Sequence, residues 1–145
     1  MHSDLQKNSV SHYLQQYKPL ILIVDNDCDN LLLASCVIDA MEMNYSVVDN
    51  PENSLATVSE LLPDIILLDI VMPKISGLEI ARAIRKDPAI AYISIIAVTG
   101  LTQPEYKAEL IDAGCDDYLC KPYLIEELES KIYSNLKCPL IQTQK

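Results

Sequence analysis

Along this chain, short apolar runs alternate with longer stretches whose apolar positions recur at helical spacing. The runs fall at 20–24 (LILIV), 45–48 (YSVV), 64–68 (DIILL), 93–98 (ISIIAV) and 117–119 (DYL). Runs this short, rich in aliphatic residues and bounded by polar or turn residues, read as strands. The stretches between them read as helices with recognisable ends. Asn50 caps and Pro51 opens the second, which carries Leu55, Val58, Leu61 and Leu62 on one face before Pro63 stops it. Ser76 caps the third, Gly77 to Lys86, with Leu78, Ala81 and Ile84 turned inward. Asp87-Pro88 ends it, because the residue before a proline is driven out of helical geometry. Gln103-Pro104 opens the fourth helix and Gly114 closes it, and the last runs from about Leu124 to Leu136.

Strands so uniformly apolar are covered on both faces, which implies a parallel sheet with helices on each side. The predicted class is α/β, a doubly wound five-stranded parallel sheet, (β/α)5, in the flavodoxin-like strand order 2-1-3-4-5. Ligands of such sheets bind beyond the carboxyl ends of the strands. Those ends carry Asp25, Asn26 and Asp27 after the first strand, Asp69 at the third, Thr99-Gly100 at the fourth and Lys121-Pro122 after the fifth. Each has a bland alternative. Asp27 or Asp29 alone is a helix cap, Thr99 alone a turn residue, Lys121 alone a solvated charge. Together, at one edge of one sheet whose strands otherwise carry almost no charge, they read as a site.

Composition narrows the partners. The chain has 145 residues, enough for one sizeable core, with 50% apolar and 22% charged residues, a globular profile. Its net charge of −10, from 11 basic and 21 acidic residues, repels nucleic-acid backbones and anionic lipid. The longest basic cluster is Arg82, Arg85 and Lys86, so direct nucleic-acid binding is not expected. No apolar run approaches the roughly 18–20 residues that span a bilayer, and the first residues lack a signal-peptide pattern, so the expected location is the cytoplasm. The five cysteines, Cys28, Cys36, Cys115, Cys120 and Cys138, have no CxxC spacing and read as reduced packing or surface residues rather than metal ligands.

The segments "ILIVDND", "DIILLDIVMPKISGLEIARAIR", "IIAVTG" and "AGCDDYLCKP" occur in that order. From about Pro19 to Leu136 they resemble the receiver domain of two-component response regulators. The resemblance implies that Asp69 is the phosphoacceptor and that Asp25, Asn26, Asp69 and the Val71 carbonyl, with Asp27 as a further candidate, hold Mg²⁺ or Mn²⁺. It implies that Thr99, Gly100 and Lys121 meet the phosphoryl group, that Tyr118 is a switch aromatic, and that Val71 and Leu101 tune hydrolysis. Pro73 and Gly77 then shape the loop after Asp69, and Pro122 follows a cis bond that aims Lys121. A carboxylate attacks a phosphoryl group only when the incoming charge is neutralised, which is the independent physical reason for a cation and a lysine at this edge.

The implied partners are a sensor histidine kinase or histidine phosphotransfer protein and a downstream protein target, engaged by a monomer or a weak phosphorylation-dependent dimer. The signal is expected to be read on residues 103 to 136. The receiver is expected over 19–137, between a short leader (1–18) and a tail (138–145) too short for an output domain. The leader places Val10, Tyr13, Leu14 and Tyr17 at amphipathic-helix spacing. One departure stands out: the family usually has two successive acids after the first strand, and here the second is Asn26. That keeps open a phosphorylation-independent pseudo-receiver. A haloacid dehalogenase-type phosphatase, with Asp25 as nucleophile and Asp27 as acid, is a further alternative that leaves Asp69 unexplained.

Overall fold

The structure is a computed structural model that describes residues 17–101 and 103–137. Five parallel strands, β1 (Leu20–Val24), β2 (Asn44–Val48), β3 (Ile65–Asp69), β4 (Ser94–Thr99) and β5 (Asp117–Cys120), lie in the order β2-β1-β3-β4-β5. Five helices connect and follow them: α1 (Cys28–Ala40), α2 (Ser54–Leu61), α3 (Gly77–Lys86), α4 (Pro104–Asp112) and α5 (Ile125–Asn135). This is the doubly wound class and the strand order expected from the sequence.

The period-2 alternation of the strands divides the core in two. Ile21, Ile23, Ile65, Leu67, Ile96 and Val98 face α1 and α5, which contribute Leu31, Ile38, Leu128 and Ile132. Leu22, Val24, Ile66, Leu68, Ile95 and Ala97 face the other way, against Val58 of α2, Ile80, Ala81 and Ile84 of α3, and Leu110 of α4. Each fully buried Ile or Leu stabilises the fold by about 1.5–3 kcal/mol, so both layers hold the central strands firmly. Every residue of β3 and β4 is buried.

The helix ends behave as their residues dictate. Ser76 accepts from the Leu78 N–H, Asn50 from the Glu52 N–H, and Asp87 takes the extended geometry imposed by Pro88. Three expectations need correction. On α2 only Ser54 and Val58 are buried, while Leu55, Leu61 and Leu62 are exposed. A 3₁₀ turn at Pro51–Asn53 precedes α2, and the face toward the sheet runs through Pro51, Ser54 and Val58. On α3, Ile80 is buried where Leu78 was expected, and Leu78 is only half-buried. β2 is also less covered than uniform apolarity suggests: it is an edge strand, and Tyr45 and Val47 are exposed. The leader positions Val10, Tyr13 and Leu14 and the tail lie outside the described residues. Tyr17 is described, and its hydroxyl donates to Asp64.

Candidate functional site

The sheet register fixes the site. Val24 pairs with Leu68, and Asp69 pairs with Val98, so Asp25, Asp69 and Thr99 emerge side by side from the three central strands. Backbone bonds lock each end: the Asp25 N–H donates to Val48 O (3.1 Å), Ile70 N–H to Val98 O (3.1 Å) and Lys121 N–H to Thr99 O (2.8 Å). Asp25, Asp69 and Thr99 are buried, with only 5%, 5% and 1% of their surface exposed. Into this recess Lys121 brings its Nζ to 3.6 Å from Asp25 Oδ2 and 3.4 Å from Asp69 Oδ1. The Lys121–Pro122 peptide is cis.

Burial, and then the charge of Asp25, push the Asp69 carboxyl up to about 6, while Lys121 pulls it back. A buried acid pair in mutual repulsion is relieved by a cation, and this donor set fits Mg²⁺, which takes one or two carboxylates and keeps several waters. Among the described residues no group of three or more His, Cys, Asp or Glu gathers as a metal cage, so the pocket is a two-carboxylate site.

Asp27 does not join it through its capping oxygen. Oδ1 accepts from Asp29 N–H (2.8 Å) and Asn30 N–H (3.3 Å), which caps α1, while the Asp27 N–H donates to Asp25 Oδ1 (2.9 Å). The Asp27 backbone therefore orients one carboxylate of the pocket. Asn26 is exposed.

Around the mouth, the Thr99 hydroxyl oxygen accepts from Leu101 N–H at 3.0 Å, which leaves its proton free to donate. Val71 and Leu101, each two residues beyond Asp69 and Thr99, have exposed side chains, and a Cβ at Gly100 would meet nothing within 4 Å. Gly77 is the opposite case. A Cβ there would lie 2.4 Å from Asp69 O, so only glycine lets α3 start directly beneath the acid. Its N–H donates to Ile70 O (2.9 Å) across the loop that carries Met72 and Pro73. Tyr118 is half-buried, its ring between the Nζ of Lys107 on α4 (5.2 Å) and of Lys131 on α5 (5.3 Å).

Sequence reasoning missed three side chains near the pocket. Tyr123 and Asn30 line the same small cavity as Asp25, Asp69 and Lys121. The Tyr106 phenol is raised by burial and, in part, by the charges of Glu109 and Asp69. The position of Tyr123, two residues after the site lysine, was the one available signal.

A profile of the response regulator receiver domain matches residues 21–133. The chain belongs to that family. Among similar curated proteins, the DNA-binding dual master transcriptional regulator RpaA of Synechocystis is 31% identical over 119 residues, covering 82% of this chain and 49% of the relative. The DNA-binding response regulator MtrA of Mycobacterium tuberculosis is 28% identical over 117 residues, covering 81% and 50%. The chain thus spans about half the length of these curated relatives. In fold it resembles the chemotaxis protein CheY4 of Vibrio cholerae, with a TM-score of 0.79 at 24% identity, covering 83% of this chain and all of that one. A CheY-like receiver domain protein from Methanospirillum hungatei gives 0.78 at 24% identity, covering 89% and 100%. Membership of the receiver family removes the haloacid dehalogenase alternative, whose proposed acid, Asp27, is engaged as a helix cap. No helix among the described residues of this receiver is long and apolar enough to cross a membrane.

Proposed function

We propose that this receiver accepts a phosphoryl group on Asp69 in a reaction that depends on Mg²⁺ or Mn²⁺, and that it signals through protein partners. The observation that carries the reading is the convergence of two buried carboxylates and one ammonium group at the carboxyl edge of the sheet, beside a threonine hydroxyl with a free proton. An Asp69 oxygen attacks phosphorus in line as the bond from phosphorus to the donor's nitrogen or oxygen breaks, and the donor leaves with that electron pair. Lys121 and the Thr99 hydroxyl take up charge on the transferred oxygens. Asp25 and Asp69, with the Val71 carbonyl, would hold the divalent cation, which supplies charge neutralisation and alignment when bound.

The donor is read as a histidine kinase or histidine phosphotransfer protein. Exposed Leu33 of α1 lines an open groove beside Lys121, and Leu32, Leu124 and Ile125 are exposed nearby in sequence, which together offer apolar contact area to such a donor. The output is read on α4, β5 and α5, where Tyr118 bridges the two helices through Lys107 and Lys131. A net charge of −10 argues against direct contact with nucleic acid by this chain. Incubation with acetyl phosphate and Mg²⁺ tests the reading: intact-protein mass should rise by one phosphoryl group, and Asp69→Asn should stay unchanged. Label retained in that variant sinks the assignment. Amide exchange with a beryllofluoride mimic should change over residues 103 to 136, and changes confined to α1 would count against the output face.

A second reading, a pseudo-receiver that binds partners without turning over phosphate, is favoured by one observation: Asn26 is neutral and Asp27 caps α1. Asn26→Asp separates the two. If the phosphoacceptor reading holds, the variant binds Mg²⁺ about tenfold more tightly and both proteins are phosphorylated. A parent inert at saturating Mg²⁺ supports the pseudo-receiver.

A further inference from the structure

Behind the acid pair lies a cavity of about 20 Å³, between the sheet and the face covered by α1 and α5. Its polar lining is Asp25, Asp69, Lys121, Asn30 and Tyr123. An open groove of about 300 Å³ adjoins it and shares Asn30, Lys121 and Tyr123. A space of about 10–15 Å³ accepts one water molecule, provided two to four polar partners converge on it.

Those partners are present and incompletely paired. Among the described residues, neither the Tyr123 hydroxyl nor the Asn30 side-chain amide has a protein hydrogen-bond partner. Lys121 Nζ stands 3.4 and 3.6 Å from the two carboxylates, beyond the roughly 2.7–2.9 Å of a direct charge-assisted bond. The Tyr123 phenol is raised by burial and then by the charge of Asp25, which puts its hydroxyl within electrostatic reach of that carboxylate. Tyr123 and Asn30 are both half-buried where this recess meets the open groove, and polar groups without a protein partner there can be met by an ordered water.

We propose that Tyr123 and Asn30 hold a single ordered water against Asp25 and Lys121, and that both side chains are thereby positioning residues for phosphoryl transfer to Asp69. The water gives the Lys121 ammonium a third fixed neighbour, so a flexible four-carbon side chain keeps one orientation in the resting pocket. It also satisfies a Asp25 oxygen that the Asp27 N–H leaves unbonded. The incoming group then meets a lysine already aimed rather than one that must be ordered at the moment of reaction.

This inference rests on the phosphoacceptor reading, and its test separates the two. Tyr123→Phe removes one oxygen and keeps the ring packed. With acetyl phosphate at saturating Mg²⁺, Tyr123→Phe and Asn30→Ala should each slow phosphorylation about three- to tenfold with little change in melting temperature. The double variant should be no slower than the slower single one, because both act through the same water. Tyr123→Leu serves as the packing control. If Tyr123→Phe matches the parent and only Tyr123→Leu is slow, the role is packing and the proposal fails. Additive losses overturn it as well. A high-resolution crystal structure of the parent should show the water bonded to the Tyr123 hydroxyl, and Tyr123→Phe should lose or displace it. An empty cavity in the parent overturns the proposal, and a parent that takes no phosphoryl group overturns the functional reading while the crystallographic result still decides the water.

Discussion

Two clusters of charge sit at opposite ends of the same sheet. At the carboxyl ends, Lys121 reaches Asp25 and Asp69 only at 3.6 and 3.4 Å, and burial, followed by the charge of Asp25, raises Asp69 to about 6. At the amino ends of β4 and β5, Arg85 donates to Gly114 O (2.8 Å), Ala91 O (2.8 Å), Ile93 O (2.7 Å) and Asp116 Oδ2 (2.7 Å). The same Asp116 oxygen also accepts from Ile95 N–H (2.8 Å). One cluster is saturated, with planar fork geometry and short bonds. The other is under-bonded and carries excess negative charge. The arginine cluster holds the termini of two strands and of α3 in place; the acidic cluster carries an electrostatic demand that a divalent cation can meet.

The sharpest way to break the contrast is Asp69→Asn. Phosphoryl incorporation should vanish entirely, while metal-free stability rises by about 1 kcal/mol as the like-charge repulsion is removed; mass spectrometry and urea unfolding read the two halves. Arg85→Ala should do the reverse. It strands several carbonyls and one carboxylate and lowers stability by about 3 kcal/mol, yet leaves the phosphorylation rate within about twofold. A slower rate in that variant would mean that the two ends of the sheet are coupled.

A smaller effect is expected at the rim. Val71 and Leu101 present apolar surface that cannot orient an attacking water, so the phosphorylated state should be long-lived. The double change Val71→Asn and Leu101→Glu should speed loss of the phosphoryl group about tenfold, equivalent to ~1.4 kcal/mol. Decay no faster than the parent's would place water control elsewhere. The smallest effect is that of pH. A carboxyl raised on folding stabilises below its unfolded value of 3.8, and that contribution is lost as pH climbs through about 6. Without divalent cations the parent should therefore weaken by about 1 kcal/mol between pH 4 and pH 6.5, allowing for screening, relative to Asp69→Asn. Parallel stability profiles for the two proteins would show that Asp69 carries no such strain.

The acidic cluster was legible in the sequence and the arginine cluster was not. Asp25, Asp69, Thr99 and Lys121 each stand where an apolar strand stops, and in a parallel sheet all such stops lie on one edge, so topology alone gathers them. In the sequence Arg85 is one member of a basic cluster, Arg82, Arg85 and Lys86, at the end of a helix. Its partners Ala91, Ile93 and Gly114 are backbone carbonyls, which leave no mark in side-chain pattern. Tyr123 and Asn30 meet only through the packing of α1 against the loop after β5. Leu55, Leu61 and Leu62 have helical spacing, but spacing gives no phase, and the phase of α2 is set by Pro51, Ser54 and Val58. Asp27 illustrates the same limit at one residue: whether it caps or ligates depends on where the strand ends and α1 begins.

Gly77 and Gly100 lie on either side of Asp69 and differ in one respect. Beneath the acid, a single added carbon at Gly77 would lie 2.4 Å from the Asp69 carbonyl oxygen; above it, a side chain at Gly100 would enter open space. The floor of the pocket is backbone pressed on backbone and admits no variation without moving the nucleophile. The rim at Gly100, Leu101 and Val71 admits almost any side chain. If Asp69 is the acceptor, as proposed, the duration of the signal and the aim of the chemistry would be set by separate residues, and selection could lengthen or shorten the message without disturbing the atom that receives it.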